Sequence, residues 1–196
     1  MRTQSLIFTT AMAGALALAA CHKPNPAADT ANADTANAAA ASATPAPTTT
    51  AVATAQGFVT NAAISDMYEI AAAKLAQQKS KTPAIKAFAA KMIHDHGAST
   101  AELKKILAGG GVDATAPTGM DDRHTGMIDA LNQAPPGGFD KAYMDQQVAA
   151  HTEAVAIFQG YSSGGDNETL KAFAAKVLPT IQNHLDMANK IDGTLK

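Results

Sequence analysis

Lys86-Ala87-Phe88-Ala89-Ala90-Lys91 returns further along the chain as Lys171-Ala172-Phe173-Ala174-Ala175-Lys176. Around both copies large apolar residues recur at helical spacing. The pattern predicts four helices, at about 58–79, 83–107, 139–158 and 168–191. Pro83 is tolerated in a first helical turn. Gly109-Gly110-Gly111 closes the second helix, and Gly160 closes the third. Pro179 lies inside the fourth pattern and is expected to kink that helix or break its first part. The joins at 80–82 and 160–167 are short, so each helix pair reads as an antiparallel hairpin. The join at 108–138 is long and rich in Gly and Pro, and reads as a crossover or a partly ordered loop. The two similar hairpins, each opening near a phenylalanine (Phe58, Phe139) and joined by a crossover, predict an all-α, ferritin-like antiparallel four-helix bundle over residues 57–193.

At about 100° per residue the helical faces can be laid out. On helix two, Ile85, Phe88, Met92, Leu103 and Ile106 share a face with His96, while Asp95 sits on its edge and His94 points away. On helix three, Tyr143, Gln147, Ala154 and Phe158 share a face with His151. On helix four, Phe173, Val177, Ile181 and Ala188 share a face with His184. Three of the six histidines are therefore expected to point inward, each from a different helix. Helix one is apolar around much of its girth, but Glu69 falls on a small-residue stripe with Phe58, Ala62, Ala73 and Ala76. Asp66 is the alternative one turn earlier. Counted from the turns at 1.5 Å per residue, Glu69, His96, His151 and His184 fall within about 10 Å of one layer.

A carboxylate in a bundle core is costly unless it is bonded, paired or bound to metal. Neutral imidazole suits Zn, Cu, Fe or Ni. Glu69, His96, His151 and His184 are thus candidate ligands for a transition-metal ion (Zn, Cu or Fe), with Asp66, Asp95, Met92 and Met187 as secondary candidates. The alternative is a purely structural polar network of the same residues with Gln147 and Tyr143. Di-iron carboxylate bundles use Glu-x-x-His on two helices. Here Ile93 and Ile181 stand three residues before His96 and His184, which disfavours such a site. Met92 and Met187, each one turn from an inward histidine, would suit Cu(I), although methionine on an inward stripe is commonly core filler.

The chain's beginning carries an address. Arg2 precedes the uncharged, Ala- and Leu-rich run from Leu6 to Ala20, which is short for a membrane span and fits a secretory signal. The run ends Leu18-Ala19-Ala20-Cys21, which resembles a bacterial lipobox and makes residues 1–20 a lipoprotein signal peptide. Cys21, the only cysteine, would carry the lipid that holds the protein to a membrane without spanning it. Among lipobox proteins an Asp after the cysteine retains the protein at the inner membrane. His22 stands there instead, so the expected location is the periplasmic side of the outer membrane. Residues 21–56 are Ala, Thr, Pro and Asn, with Asp29-Thr30-Ala31-Asn32 echoed by Asp34-Thr35-Ala36-Asn37. Such a stretch cannot bury enough apolar surface to offset its ordering entropy and reads as a disordered tether. Flexible-chain scaling gives it a reach of roughly 30–35 Å.

Composition excludes other classes. The 196 residues carry a net charge of -2, so no nucleic-acid partner is expected. A single cysteine leaves neither a disulfide framework nor a multi-cysteine zinc site. There is no G-x-S-x-G, P-loop or H-E-x-x-H. The glycine triplet follows a helix instead of opening one, and Lys104-Lys105 is a solvated pair.

Phe58 to Ala76 with Glu69, then Phe88-Ala89 and Asp95-His96, resemble the first hairpin of the bacterial domain-of-unknown-function family 4142. Phe139-Asp140, Tyr143, Gln147 and His151, then Phe173-Ala174, Leu178-Pro179 and His184-Leu185, resemble its second. The resemblance spans about residues 57–193. It implies a ferritin-like fold and a secreted or envelope location, and no activity. Three functions stay open: an envelope lipoprotein that binds a metal ion or small ligand in its core, a metal-dependent oxidoreductase, and a structural or stress-related envelope protein whose polar core only fixes the fold.

Overall fold

Thr54 sets the first boundary: its hydroxyl accepts from the Gly57 amide and starts helix α1, Ala55–Lys79. A computed structural model describes residues 53–195. Residues 1–52, with the expected signal peptide, Cys21, His22 and nearly all of the expected tether, lie outside the described residues, as does Lys196. α2 (Pro83–Ala108) opens on its proline and closes at Gly109, followed by Gly110 at a φ of 75° that favours glycine. α4 runs over Phe139–Gly164. α5 (Glu168–Asp192) is capped by the Asn167 side chain, which accepts from the Leu170 amide. α1 pairs with α2 and α4 with α5, and α2–α5 and α1–α4 contacts close the bundle. The described residues form helices and no strands.

Three sequence expectations are corrected. The crossover is not merely loop: it holds a further helix, α3 (Asp122–Gln133), started by Asp121, whose carboxylate accepts from the His124 amide. α3 buries only Leu131 fully, with Met127 and Ile128 packed beside it. The Lys79 ammonium holds its end by donating to the carbonyls of Leu131 and Asn132 at 3.1 and 2.5 Å. At the other end of the crossover Gln56 exchanges two hydrogen bonds with the Thr115 backbone. Gly160 does not stop the third bundle helix, which runs on to Gly164. An exposed glycine costs a helix only about 1 kcal/mol, and Tyr161 beyond it is buried. Of the kink or break expected at Pro179, the break does not occur: α5 runs unbroken through it. Pro179 is exposed, and so is Ala175, whose carbonyl loses its partner, so water can satisfy it.

The core falls into two apolar clusters. One gathers Ile85 and Phe88 with Phe139, Tyr143 and Ala188. The other gathers Phe58, Leu103, Phe158, Leu170 and Phe173, with Phe58 stacked on Tyr161 at 4.1 Å between ring centroids. The two repeat phenylalanines thus sit in different clusters, and the two hairpin turns lie at opposite ends of the bundle. Between the clusters, along each of the four bundle helices, come the buried polar residues: Asp66 and Glu69 on α1, His96 and Ser99 on α2, Gln147 and His151 on α4, and His184 on α5.

Candidate metal centre

His96, His151 and His184 converge from α2, α4 and α5. One ring nitrogen from each lies within 4.8 Å of the others, and the ring centroids are 5.4 to 5.6 Å apart. The rings are 5 %, 1 % and 1 % exposed. Each has one nitrogen anchored and the other free. His96 Nδ1 donates to Asp66 Oδ1 at 2.8 Å, and Thr100 Oγ1 donates to the other Asp66 oxygen at 3.0 Å. His151 Nδ1 donates to the Gln147 carbonyl at 2.9 Å. His184 Nε2 donates to Asp95 Oδ2 at 2.8 Å. The remaining nitrogens, His96 Nε2, His151 Nε2 and His184 Nδ1, are buried without a hydrogen-bond partner.

The anchors fix the tautomers. A carbonyl or carboxylate can only accept, so the anchored nitrogen carries the proton. A neutral ring then presents its lone pair on the free nitrogen. Burial lowers the pKa of His184 to about 4, with the neighbouring rings adding to the effect and Asp95 resisting it. Burial likewise lowers His151, against the charge of Glu69. Burial also opposes charge on His96, but the hydrogen bond and charge of Asp66, reinforced by Glu69 and Asp95, outweigh it and raise its pKa. Burial thus disfavours a second proton on His151 and His184, whereas the Asp66 carboxylate favours one on His96, which an incoming cation would displace. Leaving buried polar atoms unpaired costs about 1–3 kcal/mol each. A cation that accepts all three lone pairs removes that cost.

Glu69 lies behind this set. It receives a hydrogen bond from Gln147 Nε2 at 2.7 Å and stands 3.6 Å from His151 Nδ1, the anchored nitrogen. Asp66 and Asp95 back His96 and His184 in the same way. Met92 is fully buried in the Phe88 cluster and Met187 packs against that cluster. His94 is exposed and donates to the second oxygen of Asp95. His124 donates to Asp121 and packs its ring on Tyr68. Sequence reasoning missed Thr100 and Ser99, although both share a helical face with His96 at i+4 and i+3. The Gln147 carbonyl has no signal in the sequence at all.

A family model described as Domain of unknown function (DUF4142) matches residues 26–191. The chain belongs to the DUF4142 family. The DUF4142 match begins well before α1, within the stretch that composition reads as a tether. Comparison with the curated proteins finds none that matches. Among solved structures, this DUF4142 chain is similar to CopM in the Cu(II)-bound form. The TM-score is 0.62 at 20% identity, and the match covers 73% of this chain and 98% of that one. At that identity the likeness shows the helical fold alone.

Proposed function

We propose that the protein binds a transition-metal ion, copper ahead of zinc, through His96 Nε2, His151 Nε2 and His184 Nδ1. The observation that carries this reading is the set of three buried, unpartnered ring nitrogens, each on a ring anchored from behind. Anchoring of the far nitrogen by carboxylate or carbonyl is the usual arrangement behind metal-bound histidine. Three imidazoles suit copper and zinc, and divalent copper heads the affinity order. Bonds of about 2.0–2.1 Å to a single ion would hold the three nitrogens closer than the 4.8 Å that bounds their present separation. Asp66 and Glu69 add two buried carboxylates nearby, and a divalent cation would balance them. The copper named with CopM, which shares the fold, adds to the same reading. Iron in a di-iron carboxylate site is opposed by Ile93 and Ile181. The cluster recruits no methionine, which favours the divalent over the monovalent copper ion.

In this reading the protein is an envelope lipoprotein, held through Cys21 to the periplasmic face of the outer membrane. Its bundle presents the ion at the end of the 21–56 tether. Signal processing and lipidation at Cys21 would be checked by the mass of the mature protein and its loss from membranes in Cys21→Ser.

The purified protein, loaded with Cu(II) and desalted, is expected to retain one ion per chain by elemental analysis. Its electron paramagnetic resonance spectrum should show imidazole nitrogen couplings. His151→Ala should lose both. Retention of the ion by that variant would rule the site out. Oxidoreductase activity is a second reading that no residue beyond the triad supports, so ion binding is the function advanced.

A further inference from the structure

A polar strip leads out of the triad. Along α2, His96, Ser99 and Glu102 follow one another at i+3 spacing and share one face. His96 and Ser99 are 5 % and 8 % exposed, and the Glu102 side chain reaches 34%. Along α5, His184, Thr180 and Lys176 do the same at i−4 spacing, from buried through half-buried to exposed. The strips run side by side. At the inner end the rings of His96 and His184 are 5.4 Å apart, and at the outer end Lys176 donates to both Glu102 oxygens at 2.8 Å. A surface pocket of about 170 Å³ opens between them, lined by Asp95, Ala98, Ser99, Glu102, Lys176 and Thr180 among others. The Ser99 hydroxyl in its wall is buried and has no hydrogen-bond partner.

This seam joins the two hairpins and packs less extensively than the seams within them. The rival approach is the groove of about 340 Å³ between α1 and α2, walled by Ala63, Met67, Leu103 and Pro117. Those four residues are apolar, with Lys104 and Thr118 beside them, and the groove's link to the site, Thr100, leads to Asp66 behind the anchored face of His96. A hydrated cation shedding water needs oxygen ligands in turn, and the α2–α5 seam offers a graded series of them in Glu102, Thr180 and Ser99.

We propose that the α2–α5 pocket is the port through which a divalent metal ion reaches and leaves the His96–His151–His184 site, with Glu102, Thr180 and Ser99 as successive oxygen contacts. The port rests on the metal-binding reading above. A port is crossed in both directions, so narrowing it slows loading and release by the same factor and leaves the equilibrium unchanged.

The test uses the full chain, Cu(II) ions for loading and a chelator for release, followed by stopped-flow spectroscopy. Thr180→Phe fills the pocket from α5. Ala98→Phe, at an exposed position, covers it from α2 without disturbing the core. Both are expected to slow loading and release about tenfold or more while the final stoichiometry stays at the wild-type value. Ala63→Phe, in the α1–α2 groove, should load at the wild-type rate. Wild-type rates in both plugged variants, or slowing in Ala63→Phe, would overturn the port and leave the triad reading intact. Failure of the wild-type chain itself to take up copper would overturn both.

Discussion

The two hairpins share a scaffold and differ in chemistry. Both have a phenylalanine in their first turn and carry the same Lys-Ala-Phe-Ala-Ala-Lys stretch, yet α1–α2 holds both buried carboxylates, Asp66 and Glu69, and one triad histidine. The α4–α5 hairpin holds two triad histidines and no buried carboxylate. Counting from the repeat phenylalanines, Ser99 stands in the first hairpin where His184 stands in the second. The two hairpins thus match in the apolar repeat and differ at the positions that build the candidate site. Neither hairpin alone has three ligand nitrogens. The acidic hairpin also reaches across, since Asp95 anchors His184.

The largest expected test of this division is Asp66→Asn. It keeps the shape and an acceptor for His96 but removes a charge from the acidic hairpin, so copper affinity should fall by about 10–100-fold. An unchanged affinity in competition titrations would mean that the two hairpins do not differ in the way described. Next is the turn of the second hairpin. A Cβ at Gly165 would lie 2.6 Å from the Tyr161 ring, whereas the turn of the first hairpin, Ser80-Lys81-Thr82, needs no glycine. The Cβ would also lie 2.7 Å from the Tyr161 carbonyl oxygen, so Gly165→Ala should cost about 1–3 kcal/mol in chemical denaturation, and a neutral outcome would show that both the Tyr161 ring and the turn backbone give way.

The pH dependence separates the hairpins by sign. Below the ordinary histidine value of 6.5 the unfolded chain takes protons on His151 and His184 that the fold refuses, His184 until about 4, so stability falls as the pH drops through this window. Above 6.5 the fold keeps the His96 proton after the unfolded chain has lost it. That contribution disappears as the pH rises through the raised pKa. With chelator present, the histidine contribution to the denaturation midpoint should peak near 6.5, and His96→Asn should flatten only the alkaline arm. Loss of the acid arm in that variant would assign the groups wrongly. The smallest effect is expected for Glu102→Gln, which breaks the exposed inter-hairpin pair with Lys176. Such pairs contribute about 0–1 kcal/mol, so a larger drop in melting temperature would mean that the hairpins dock chiefly through charge.

The fold was legible because bundle helices advertise their period and the repeat marks two equivalent units. α3 escaped notice because only Leu131 buries itself fully, leaving a weak stripe. The Asp121 cap with Met127, Ile128 and Leu131 behind it was the available signal. The inward histidines followed from helical angle alone. Their anchors did not: α1 is apolar over most of its girth, so angle could not decide between Asp66 and Glu69. In the structure Asp66 anchors His96, while Glu69 bonds Gln147 behind His151. A backbone carbonyl such as that of Gln147 is chosen by packing, which no residue pattern records.

The opposite placement of the two hairpin turns has a consequence for assembly. Each hairpin closes over a few residues and can form early at little entropic expense, whereas the triad joins positions separated by most of the domain and must wait for docking. The three rings come together only at that final step, so their convergence is a gauge of completed folding: a half-assembled chain can own every one of these histidines and still have no site.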